Sequence, residues 1–110
     1  MVAEEFLRDL GFEPLSARNA AEAMQIIEQG AELAVALVDV GLPDTRGDEL
    51  ALRMRELRPG VPILIASGYD QGDLRSRFAG DSGVGVLGKP YTEADLERAL
   101  EQLGVAITGT

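Results

Sequence analysis

Apolar positions along the chain switch repeatedly between a helical and an extended period. Phe6, Leu7 and Leu10 recur with Val2 at helical spacing, and Gly11 follows where a helix end favours glycine, which predicts a helix over residues 2–10. Residues 12–15 read as a short extended piece. Asn19 and Glu22 form a capping pair for a second helix whose inward face is Ala20, Ala23, Met24 and Ile27, closed by Gly30. Residues 34–38 are an unbroken apolar run that stops at Asp39, the pattern of a strand buried on both faces of a parallel sheet. Residues 40–47 hold Gly41, Pro43 and Gly47 and read as a loop. A third helix is predicted over 48–57, with Leu50, Met54 and Leu57 inward, broken by Pro59-Gly60. A second buried strand over 61–66 runs into Ser67-Gly68, and a short helix around Leu74 and Phe78 follows. A last strand over 84–87 reaches Gly88-Lys89-Pro90. Thr92 and Asp95 then cap a final helix through Leu103, with Leu96, Ala99, Leu100 and Leu103 inward.

Alternation of this kind implies an α/β fold, a parallel sheet with helices on both faces. Ligands in such sheets bind at the carboxyl ends of the strands. That rule brings Asp39, Ser67 and Lys89 to one rim. A carboxylate can attack a phosphoryl group and become an acyl phosphate. The transferring group carries charge on several oxygens, which an ammonium can neutralise and a hydroxyl can hydrogen-bond. Singly, each residue has an ordinary explanation: an aspartate or serine closing a strand as turn chemistry, a lysine as a solvated charge. Together, at the ends of three successive strands, they form a candidate site.

Composition narrows the chemistry. With 110 residues the chain fits one domain over 1–110, and 45% apolar content against 5% aromatics implies an aliphatic core. There are no cysteines and no histidines, which excludes disulfides, thiolate and imidazole catalysis, Cys-based zinc sites and a phosphohistidine donor role. A formal charge of −9 argues against nucleic acid and anionic membranes as partners. No apolar run approaches a membrane span and no signal peptide is visible, so the expected location is cytoplasmic.

The stretch Asp39-Val40-Gly41-Leu42-Pro43 with Gly47, the strand Ile63-Leu64-Ile65-Ala66-Ser67-Gly68, and the turn Leu87-Gly88-Lys89-Pro90-Tyr91 together resemble CheY-like response regulator receiver domains. The resemblance covers the chain from Val2 to about Leu103 and implies a flavodoxin-like doubly wound sheet of strand order 2-1-3-4-5. It implies a two-component receiver that takes a phosphoryl group on Asp39 from a sensor histidine kinase or histidine phosphotransfer protein, an acceptor rather than a turnover enzyme. Ser67 and Lys89 would bind the phosphoryl oxygens. Mg²⁺ would sit on Asp39 and the backbone carbonyl of Gly41. Pro90 would follow a cis peptide, and phosphorylation would remodel the surface of the last two strands and helices.

Three departures stand out. Receivers begin with a strand ending in an acidic pair that binds Mg²⁺, whereas this chain opens inside the first helix, so weak Mg²⁺ binding is expected, with Asp44 and Asp70 as the nearby acids that would have to compensate. An in-frame strand with two acids upstream of Met1 would restore the full receiver. Loss of that strand would open the sheet, and the C-terminal tail 105–108 is placed to fill the slot with a right-handed crossover, within one chain or swapped in a homodimer. Finally, Val86 stands where the family often has an aromatic switch residue, leaving Tyr91 to carry part of that role. A degenerate receiver that only binds partners is the competing reading. A hydrolase of the haloacid-dehalogenase type would need a second aspartate where Gly41 stands.

Overall fold

The computed structural model describes residues 2–12, 17, 19–30, 33–41, 44–68, 71–81 and 83–105. In chain order the elements are α1 (Val2–Asp9), α2 (Ala20–Glu28), β1 (Ala36–Asp39), α3 (Gly47–Leu57), β2 (Ile63–Ser67), α4 (Gln71–Arg77), β3 (Val84–Gly88) and α5 (Glu93–Gln102). The strands form one parallel sheet in the order β1-β2-β3, with Asp39 level with Ala66 and Ser67 level with Gly88.

Strand alternation splits the interior into two cores. Ile63 and Ile65 of β2 join Val38, the α2 residues Ala20 and Ile27, the α3 residues Leu50, Ala51 and Met54, and Leu74 and Phe78. Leu64 points the other way, into a cluster with Leu10, Leu87, Leu96, Leu100 and Val105. Helices α2, α3 and α4 therefore cover one face and α1 and α5 the other. Two covered faces favour apolar side chains along the middle strand, and all five residues of β2 are buried, four of them apolar and the last Ser67.

The local signals act as anticipated at most ends. Gly11 adopts φ 95° and lets Phe12 donate its amide to the Leu7 carbonyl at 2.9 Å, closing α1. Asn19 accepts from the Glu22 amide at 2.9 Å, and Thr92 and Asp95 form both halves of a capping box.

Some expectations are corrected. The first strand begins at Ala36 rather than 34, and of its residues only Val38 is buried. Among the described residues it is an edge strand of the sheet, paired on one side only. The second strand begins at Ile63, because Pro62 has no amide hydrogen for the ladder and contributes only its carbonyl, which accepts from the Ala36 amide at 2.9 Å. Leu57 is 54% exposed: it ends α3 just before the Pro59-Gly60 break, and Ala51 takes the inward position instead. The expected extended piece at 12–15 and the strand-replacing tail fall outside the described residues, apart from Phe12 and Val105. Val105 itself is buried with Leu10 and Leu100. No helix among the described residues is long and apolar enough to cross a membrane.

Candidate functional site

Parallel pairing places the C-terminal ends of β1, β2 and β3 side by side, and with them Asp39, Ser67 and Lys89. Lys89 donates its backbone amide to the Ser67 carbonyl at 2.8 Å, which ties the third strand's exit to the second. Its ammonium Nζ reaches Oδ2 of Asp39 at 2.6 Å, while the Gly41 amide donates to Oδ1 at 2.9 Å. Ser67 is fully buried at the end of β2, one residue beyond Ala66, the register partner of Asp39. The Lys89-Pro90 peptide is cis, as the resemblance implied.

The loop after Asp39 returns to the strand through Gly47. Its amide donates to the Val40 carbonyl at 3.1 Å, and a Cβ at this position would lie 2.2 Å from the Asp39 carbonyl oxygen. Only glycine allows so close an approach of helix start to strand end. Gly41 is less demanding, since a Cβ there would meet Asp39 Oδ1 at an ordinary 3.6 Å.

Burial by itself pushes the Asp39 carboxyl up, but the Lys89 hydrogen bond, the Gly41 amide and the Lys89 charge together hold it below the ordinary carboxylate value. Asp39 is therefore an anion at neutral pH, the form a nucleophilic carboxylate needs. Tyr91 is half-buried under Phe6, edge to face with ring centroids 6.3 Å apart, and burial followed by the negative charge of Asp39 raises its phenol. Val86 instead packs beside the apolar core on the α2–α4 face.

Of the two acids that would have to compensate, Asp44 is engaged elsewhere. Asp44 caps α2, accepting from the Ala20 amide at 2.9 Å and the Ala21 amide at 3.1 Å. Asp70 lies outside the described residues. Among the described residues no group of three or more acids could hold a metal ion. One oxygen of Asp39 already faces Lys89 and the other faces the Gly41 amide. Mg²⁺ held by Asp39 and the Gly41 carbonyl would complete its octahedral shell with water.

Two features carry no signal in the sequence pattern. Asp48 looks like an ordinary first-turn acid yet is buried between Arg46 and Arg77. Arg55 holds Asp81 with two bonds of 2.7 and 2.8 Å and also donates to the carbonyls of Pro59 and Val61.

Comparison with known proteins places this arrangement in context. The family model described as the response regulator receiver domain matches residues 1–101. The sensor histidine kinase AruS of Pseudomonas aeruginosa is 30% identical over 110 residues, covering 96% of this chain and 11% of AruS. The sensor kinase CckA of Brucella abortus is 26% identical over 98 residues, covering 88% of this chain and 10% of CckA. The response regulator receiver protein CpdR of the same organism is 26% identical, covering 91% of this chain and 82% of CpdR. The chain thus spans about a tenth of the two kinases it matches. A CheY-like receiver domain protein from Methanospirillum hungatei JF-1 superimposes with a TM-score of 0.76 at 30% identity, covering 94% of this chain and 85% of the other.

Proposed function

The chain belongs to the response regulator receiver family and has its two-component role, and on that premise we propose that Asp39 is the residue that accepts the phosphoryl group. The observation that carries the proposal is the 2.6 Å contact between Lys89 Nζ and Asp39 Oδ2, which sets a cation against the anionic nucleophile. In the transfer a carboxylate oxygen of Asp39 forms the new P–O bond as the bond from phosphorus to the donor's leaving atom breaks. The Lys89 ammonium then neutralises charge on the phosphoryl oxygens, and the Ser67 hydroxyl hydrogen-bonds another of them. The Gly41 amide keeps the carboxylate oriented.

The donor we infer is a sensor histidine kinase or a phosphotransfer protein, since kinases of that kind are among the chain's relatives. Receiver domains generally bind Mg²⁺ at an acidic pocket. The thin donor set around Asp39 among the described residues supports weak Mg²⁺ affinity here. It also favours a second reading, a receiver that binds partners without being phosphorylated.

Incubation with acetyl phosphate and Mg²⁺, followed by intact-mass measurement, separates the two. The acceptor reading expects a single phosphate-sized adduct, labile to hydroxylamine and missing in Asp39→Asn. An unmodified protein at saturating donor, with no amide response near Asp39 and Lys89 to beryllofluoride, leaves the binding-only reading.

A further inference from the structure

Among the described residues, two polar side chains are buried: Ser67, already part of the site, and Asp48. The Asp48 side chain is 3% exposed, and each of its oxygens takes one guanidinium. Oδ1 accepts from Arg46 Nε at 3.0 Å, and Oδ2 accepts from Arg77. A carboxylate is kept in so dry a place only when such partners replace its water. Arg46 is the N-cap of α3, next in the chain to Asp48's own turn, whereas Arg77 is the last residue of α4, 29 residues away. The second bond therefore ties two helices together.

Both helices lead directly to the site. Asp48 follows Gly47, whose amide donates to the Val40 carbonyl and whose backbone packs against that of Asp39. Helix α4 follows shortly after Ser67. It has seven residues, QGDLRSR, and its apolar anchors are Leu74 and, just past its end, Phe78. A helix so short is marginal by itself, and apolar contacts are non-directional, so the ion pair has leverage over where α4 sits.

Arg77 also has a second carboxylate in reach. Asp73 lies four residues earlier on α4, the spacing and order that favour an acid–base pair on one helix face. Asp73, Asp48, Arg46, Leu74 and Arg77 line one open cleft. Arg77 thus has two alternative partners, one across to α3 and one on its own helix, and the choice decides whether α4 is tethered.

We propose that the Asp48–Arg77 pair is a latch that seats α4 against the phosphoacceptor loop, with Asp73 as the partner of Arg77 when the latch opens, so that Asp48 is a positioning residue for the site. This rests on the reading of Asp39 as phosphoacceptor. A group bound at Asp39 shifts the latch only to the extent that it favours one of the two pairings, and by the same linkage the latch sets affinity at Asp39.

The test uses backbone amide resonances of residues 71–79 in the full chain, with and without beryllofluoride and Mg²⁺. In Arg77→Gln these amides should move, without any addition, along the direction that beryllofluoride produces in the wild type. Beryllofluoride should bind this variant several-fold more tightly, and Arg77→Lys should stay close to the wild type in both respects. Asp73→Asn, an exposed change that keeps the test open should Arg77→Gln fail to fold, should weaken beryllofluoride binding. If Arg77→Gln is folded and its α4 amides stay at wild-type positions, or if Asp73→Asn binds beryllofluoride as the wild type does, the latch is refuted while the phosphoacceptor reading stands. A wild type that gives no beryllofluoride response overturns the phosphoacceptor reading and the coupling together, and the tether alone is then judged by the Arg77→Gln shifts.

Discussion

Lys89 and Asp39 are fifty residues apart in the chain, yet the lysine ammonium lies 2.6 Å from the aspartate carboxylate. Each side chain is about two-fifths exposed, at 39% and 42%, so the pair is open to solvent and contributes about 0–1 kcal/mol to stability. Its consequence is electrostatic. The native carboxyl titrates below its unfolded value, so it stabilises the fold above the unfolded pKa and loses that contribution as pH falls through the folded value. Lys89→Gln should move the Asp39 carboxyl midpoint upward in a carbon-13 NMR titration, with little change in melting temperature. An unmoved midpoint would show that the ammonium does not act on this group in solution.

Gly47 and Gly41 flank the same aspartate and should respond differently to alanine. At position 47 the added carbon would lie 2.2 Å from a backbone oxygen and 2.8 Å from Val40 Cα, neither of which can swing aside. Gly47→Ala is therefore expected to cost about 1–3 kcal/mol or more, as overpacking does. Gly41→Ala meets its nearest atom at 3.6 Å and should unfold within a degree or two of the wild type. Equal melting temperatures for the two variants would contradict this packing.

Asp44 offers a separation of roles. Its carboxylate caps α2 through the Ala20 and Ala21 amides, which hold its pKa down. Asp44→Ala should lower the melting temperature, as removing a cap does. Mg²⁺ affinity, read from amide shifts near Asp39, should not change. A marked loss of Mg²⁺ binding would instead restore Asp44 as a metal ligand.

Arg55 closes the turn after α3 through Asp81 and two carbonyls. Charged hydrogen bonds of this kind contribute roughly 1.5–3 kcal/mol, and a lysine cannot reproduce the forked geometry. Denaturant unfolding should find Arg55→Lys nearly as destabilised as Arg55→Met. The Arg55 bond is the main cause that lowers the Asp81 carboxyl, so the clip holds above the unfolded pKa and is lost as acid takes the pH through the folded value.

Glu93 shows the opposite sign. A side-chain hydrogen bond with Asp9, then burial and the charges of Asp9 and Glu97, raise its carboxyl. A raised acid favours the fold at low pH and withdraws that support as pH rises through the folded value. Asp9→Asn should therefore raise the melting temperature at neutral pH and lose this advantage in acid. A melting profile parallel to the wild type at every pH would remove the contact from consideration.

Much of this molecule follows from local chemistry. Asn19, Thr92 and Asp95 can satisfy helix amides within three residues of themselves, and Gly11 can turn a helix end wherever it stands. The unbroken run of residues 63–66 had to lie where both faces are covered, and that placed Asp39, Ser67 and Lys89 at one sheet rim by the ordinary rule for parallel strands. These features depend on neighbours in the chain, so a reading of neighbours finds them.

What tertiary structure decided were relations between residues that no local pattern links. Which half of the sheet covers β1 made most of that strand half-buried, although its residues are those of an enclosed strand. The end of α3 left Leu57 in solvent despite its spacing from Leu50 and Met54. Asp44, Asp48 and Asp81 are alike in sequence, but one caps a helix, one is buried between guanidiniums and one clips a turn. The physical reason is common to all of these. Charge, burial and partnership depend on distance in space, and packing of helices on the sheet sets those distances only after every element is in place.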